Sequence, residues 1–142
     1  MNAIDTGLAL PMIGMLALTL LVWIALFVQR VGFVNANKLH IEDMKTPRDV
    51  ESMIPGESSS ASYNFKNLFE MPVVFYAVCL YLTVFGMVDE FHVYCAWLFM
   101  IFRVVHSLIH CTYNKVTQRF LAYLISSVAV WIMVARGLLA TL

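Results

Sequence analysis

The chain has 142 residues, 61% of them hydrophobic and only 13% charged, and its nine basic and nine acidic side chains cancel to a formal net charge of zero. At this length it makes one domain, and so apolar a composition excludes an ordinary soluble globular domain in favour of one lying in a membrane. With no net charge, where the charges lie is more informative than their sum.

Four apolar runs follow in order, roughly 8–28, 68–88, 91–111 and 120–140. Each is about 21 residues long, so at about 1.5 Å per residue each crosses a hydrocarbon core about 30 Å thick. One such run can be the core helix of a soluble protein; four together predict a polytopic membrane protein. The first lacks a basic leader and a small-residue cleavage site, so it reads as a retained helix rather than a signal peptide. Pro11 falls near its start, where proline is tolerated, and Gln29-Arg30 marks its polar exit. The one sizeable loop, 35–63, follows. Its charged half, NANKLHIEDMKTPRDVE, reads as a solvated face beside lipid headgroups. Its second half, PGESSSAS, is rich in turn formers and is expected to be mobile.

The second run opens with Asn64, Lys66, Asn67, Glu70 and Pro72. Asn67 and Glu70 are three apart and share a helix face, and Pro72 removes a helix hydrogen bond, which frees the Leu68 carbonyl. Asp89-Glu90 predicts a tight turn, so the second and third helices are antiparallel neighbours. Lys115, Thr117 and Gln118 make another short turn before the fourth run. The expected fold is an all-α, integral membrane, up-down four-helix bundle formed by residues 1–142 as a single domain. Arg30, Lys38, Lys45, Arg48, Lys66, Lys115 and Arg119 lie in or beside the first and third loops. The second turn is acidic, and the N-terminal tail carries only Asp5. The positive-inside rule therefore predicts cytoplasmic first and third loops, with both termini outside.

Within the third run, Arg103, His106 and His110 follow helical i, i+3, i+7 spacing and form a polar stripe. A cation there costs about 2.5–3.5 kcal/mol on insertion scales, so it needs a partner or a purpose. Measured from the cytoplasmic boundary, Glu70, His106 and Arg103 lie roughly 6, 9 and 13 Å deep. A Glu70–Arg103 ion pair between the second and third helices is the expected way to bury both charges. It leaves His106, His110, Asn67, Lys66, Tyr113, Asn114 and Arg119 crowded at one edge, which suits a pocket for an anionic polar ligand. His106 and His110 can share a ligand face, but with Glu70 they supply at most three ligands, so no metal site is expected. No nucleophilic triad is expected either, because Ser107 points off the stripe and no Asp lies at its height. Cys79, Cys95 and Cys111 are odd in number and lie in apolar runs, which argues against disulfides.

These residues resemble the family of membrane-associated proteins in eicosanoid and glutathione metabolism, which includes microsomal glutathione transferases and leukotriene and prostaglandin E synthases. The resemblance spans nearly the whole chain. It rests on four spans, a cytoplasmic first loop, Asn67-x-x-Glu70 with Pro72, Arg103-x-x-His106, and the basic turn leading to Arg119. It implies a homotrimer with glutathione held between subunits near the cytoplasmic side. Arg30, Lys66 and Arg119 would meet carboxylates, and Asn67 the peptide. Glu70 would meet the ammonium or hold Arg103, and His106, His110 and Tyr113 would complete the wall. Arg119 matches the position usually given the thiolate-stabilising role, so it is the expected catalytic residue. The chain departs from the family pattern at Tyr63, where Arg is common, at His110, where Tyr is common, and at Phe120, where Ser or Thr can follow the arginine.

The activity implied is transferase or peroxidase chemistry on lipophilic electrophiles or lipid hydroperoxides, with glutathione as cosubstrate. The alternative is a non-catalytic, lipid-binding or partner-assisting protein of the same fold. The expected partners are the bilayer, a lipophilic small molecule and further copies of the chain, with no nucleic acid. The expected location is a bacterial inner membrane.

Overall fold

A computed structural model describes residues 6–142. Six α-helices run in order: α1 Ala9–Ala36, α2 Pro47–Met53, α3 Ser60–Asn67, α4 Met71–Val84, α5 Glu90–Cys111 and α6 Val116–Thr141. The chain is an all-α bundle with four membrane-spanning segments: Ala9–Ala36, Ser60–Val84, Glu90–Cys111 and Val116–Thr141. Asp5, part of the predicted charge bias, lies outside the described residues.

α1 outruns its expected end at Val28, because its helix continues through Gln29 and Arg30 to Ala36. At 1.5 Å per residue its 28 residues reach about 42 Å, so its last turns stand beyond the hydrocarbon. They are tied down there. Gln29 Oε1 accepts from Ala61 N–H at 3.1 Å, which satisfies one of the open donors at the start of α3. The serine-rich half of the first loop, expected to be mobile, is therefore a 3₁₀ turn over Gly56–Ser59 followed by α3, with Ser60 and Ala61 buried. α2 is closed at its start by a reciprocal capping box between Thr46 and Asp49.

The second span is broken. Glu70 sits between α3 and α4 with φ −100° and ψ −99°, and Pro72 opens α4. Proline has no N–H to donate and its ring crowds the preceding turn, so the helix stops and restarts.

α5 and α6 form the most extensive helix pair, with α1 against α3 and α5, and α4 against α6. Met15, Leu18, Val22, Phe75, Cys79, Ala96, Phe99, Ala129, Val130 and Met133 build the core, and Phe75 stacks on Phe99 at 4.4 Å. Small residues at Ala96, Ala129 and Gly137 let helices approach where lipid offers no hydrophobic drive for association. Leu16, Leu20, Trp23, Leu108 and Trp131 are exposed, as residues facing hydrocarbon can be at no cost.

At the end opposite the long loop, Asp89 caps α5 by accepting from His92 N–H at 2.8 Å and pairs with Arg136 of α6. Desolvation opposes its charge, but the His92 bond, His92 itself and the Arg136 guanidinium outweigh it and hold the carboxyl below its ordinary value. A depressed carboxyl stabilises the fold above its unfolded pKa, near 3.9, and that contribution fades as pH falls through the folded value. Thermal unfolding in detergent should therefore lose an acid-sensitive component below about pH 4 in Asp89→Asn. An identical acid profile in the variant would show that the Asp89 cluster carries none of it.

Candidate functional site

At the long-loop end a cleft of about 770 Å³ lies among the loop, α3, α5 and α6. Its wall takes Lys66 and Asn67 from α3, Glu70 from the break, His106 and His110 from α5, and Arg119 and Tyr123 from α6. Six of the expected site residues thus converge on one cleft.

Arg119 is placed by the turn before α6. Asn114 takes a left-handed conformation, φ 50°, which asparagine tolerates better than most residues. Its N–H closes the end of α5 on the Ile109 carbonyl at 2.8 Å, and its Oδ1 accepts from Arg119 Nη1 at 2.8 Å. The same asparagine therefore ends one helix and holds the guanidinium that opens the next.

His106 locks α5 to α6. Its Nδ1 lies 2.8 Å from the Arg119 carbonyl, which can only accept, so the proton sits on Nδ1. That leaves Nε2, which is buried and has no partner among the described residues. His110 meets it ring edge to face at 5.5 Å, and its Nδ1 takes a long contact, 3.5 Å, from Asn67 Nδ2. Lys66 reaches Glu51 at 3.1 Å with both side chains exposed, a pairing weak enough to open.

The ion pair expected between Glu70 and Arg103 is not formed; among the described residues the carboxylates paired within 4.0 Å are Glu51 and Asp89. The helix break explains the difference. It turns Glu70 outward to an exposed position and separates the Asn67 carbonyl from α4. Arg103 Nη2 donates to that carbonyl at 2.7 Å, while its guanidinium lies 5.4 Å from the Tyr123 ring centre. The acceptor that Arg103 takes is that of Asn67, one residue before the Leu68 carbonyl that Pro72 leaves without a helix donor. Arg103 is fully buried, and its Nε and Nη1 have no hydrogen-bond partner among the described residues. Glu70→Gln should then shift detergent stability by no more than about 0.5 kcal/mol, the usual range for an exposed side chain. A loss of several degrees in Tm would restore the ion pair.

Two expected residues stand elsewhere. Arg30 donates to Ser62 Oγ at 3.4 Å and lines a separate pocket. Tyr113 is exposed, with its hydroxyl donating to Gln118 Oε1 at 2.8 Å. Conversely, Tyr123 was missed as a wall residue, although it lies four residues after Arg119 and so on the same helix face. Tyr63 and Phe120, two of the departures, line the cleft as well.

The described arrangement offers two cations, an amide, an acid and an unsatisfied imidazole nitrogen around one opening. A search of curated proteins and a search of solved structures each find no match. A family model, that of the MAPEG family, matches residues 8–139. With nearly the whole length matched and four membrane-spanning segments in place, the chain belongs to the MAPEG family.

Proposed function

We propose that the cleft binds glutathione and that the protein uses its thiolate against a lipophilic electrophile or a lipid hydroperoxide. The observation that carries this reading is the convergence of Lys66, Asn67, Glu70, His106, His110 and Arg119 on one cleft. Glutathione has two carboxylates, an ammonium, two peptide groups and a thiol, and this donor set fits it. Lys66 suits a carboxylate and Glu70 the ammonium. Asn67 suits a peptide group, and His106 Nε2 is a buried acceptor in need of a donor. Arg119, held by Asn114, is the cation for the sulfur. Bound glutathione supplies the nucleophile. In transfer its sulfur bonds to the electrophilic carbon as the leaving group departs or the proton is taken up. In peroxide reduction two glutathiones give disulfide, and the hydroperoxide becomes alcohol and water.

In this reading the chain assembles as a homotrimer, as family resemblance implies, and Tyr113 and Arg30 act on glutathione across a subunit boundary. The long loop and the turn before α6 face the cytoplasm on the positive-inside rule, and a bacterial inner membrane is the proposed setting. The second reading, a non-catalytic lipid-binding or partner-assisting protein, draws on Phe120, which lines the cleft beside Arg119 and offers no hydroxyl to a thiolate.

Titration of the purified protein in detergent separates the two. Glutathione at millimolar concentration should raise thermal stability and develop thiolate absorbance in the ultraviolet. Absence of both would favour the non-catalytic reading.

A further inference from the structure

Towards the end of the bundle away from the cleft, a groove of about 700 Å³ runs along the exposed faces of α5 and α6. Aromatic and aliphatic side chains line it, among them Phe91, Tyr94 and Trp97 of α5 and Leu124 and Val128 of α6. Along α5 it extends from Phe91 to Ile101. At about 1.5 Å per residue that stretch is about 15 Å long, half of a hydrocarbon core about 30 Å thick. The groove is therefore one leaflet deep.

Its mouth is charged. Glu90, the first residue of α5, is exposed and shares a helix face with Tyr94 and Trp97 by i, i+4, i+7 spacing. Its carboxylate has no cation within 4.0 Å among the described residues. Arg136 reaches the same mouth, with its guanidinium 4.8 Å from the centre of the Phe91 ring. It pairs with Asp89 through Nη2, which leaves others of its five donors over. Asp89 and Glu90 against Arg136 make an excess of negative charge where the span meets the headgroups.

We propose that this groove holds a phospholipid with an ethanolamine headgroup, one acyl chain lying between α5 and α6. The apolar length matches a chain of one leaflet. The ammonium meets Glu90 and the Tyr94 ring, whose face attracts cations, and the phosphate meets Arg136. A purely anionic headgroup would set its charge against Glu90 with no ammonium to offset it. A second copy of the chain is a poorer occupant. Among the described residues Arg136 is the one Lys or Arg at this end, and it is already paired, so another copy brings no free cation to Glu90. The site lies away from the cleft and does not rest on glutathione binding.

The full chain, purified in detergent, provides the test. It is offered equal amounts of phosphatidylethanolamine and phosphatidylglycerol with the same acyl chains, and native mass spectrometry reads which is retained. The parent chain should retain phosphatidylethanolamine about three- to fivefold over phosphatidylglycerol, the range of an exposed ion pair. Glu90→Gln should remove that preference, and because Glu90 is exposed the variant should fold. Val128→Trp, which places an indole in the groove, should lower retention of both lipids. Equal retention by the parent chain, or a preference that survives in Glu90→Gln, overturns the proposal. So does retention unchanged by Val128→Trp. If that variant instead separates the assembly into smaller oligomers, the groove is an interface between copies and the proposal fails as well.

Discussion

Replacing Arg119 by alanine is expected to cut the thiolate fraction of bound glutathione at pH 7 from about one half to about 3%, as the thiol returns from about 7 towards its free value near 8.5. A unit charge 4 Å away at an effective dielectric of about 20 contributes roughly 4 kcal/mol, and each pKa unit needs about 1.4 kcal/mol. Arg119 is only partly buried, so solvent screening leaves one to two units of that roughly three-unit ceiling. From a free thiol near 8.5, this brings the bound thiol to about 7, where half of it is ionised. Lysine at the same position should recover only part of the effect. It keeps the charge but not the planar fork that presents Nη1 to Asn114 Oδ1 at 2.8 Å. The measurement is the ultraviolet difference spectrum of glutathione with each variant. A full thiolate signal in Arg119→Ala would remove Arg119 from the chemistry and leave His106 Nε2, the buried acceptor of the cleft, to be examined in its place.

Much of this arrangement was legible in the chain. Hydropathy over some twenty residues reports directly on what the bilayer accepts, so the four spans could be read without knowing their packing. The stripe Arg103, His106 and His110 was visible because helical periodicity puts those residues on one face whatever they meet. What they meet was not visible. The Glu70–Arg103 pairing assumed a continuous second helix, on which Glu70 would point inward. Pro72 announced a disturbed hydrogen bond but not that the helix would break over Leu68–Glu70 and offer the Asn67 carbonyl to Arg103. Arg30 and Tyr113 were assigned by charge and height, yet their directions depend on how the loop docks, and Arg30 follows α3 through Ser62. Arg136 went unremarked inside an apolar run, since only the folded turn brings Asp89 to it. Tyr123 is different in kind: its spacing from Arg119 contained the signal, and an aromatic in a lipid-facing helix masked it.

The break also sets up a sharp expectation for Arg103. Three effects compete when its guanidinium is removed. The Asn67 carbonyl loses its donor, at a cost of about 1–3 kcal/mol. Truncating a large, fully buried side chain to alanine adds a cavity cost of about 2–5 kcal/mol. Against these stands relief of the burial cost of the cation, about 2.5–3.5 kcal/mol. For Arg103→Ala the losses exceed the relief, and the protein should be destabilised by about 2 kcal/mol, with a clear drop in Tm. For Arg103→Met the long side chain fills the same space, the cavity cost falls away, and carbonyl loss and charge relief nearly cancel. Methionine should therefore fold with a Tm close to that of the parent chain. If Nε and Nη1, unpartnered among the described residues, are held ready for an anion, Arg103→Met should also bind glutathione at least about tenfold more weakly. Normal stability with impaired binding would make the guanidinium a feature of the site, retained at the expense of the fold. Equal destabilisation by alanine and methionine would instead make the bond to Asn67 a structural clasp across the broken helix.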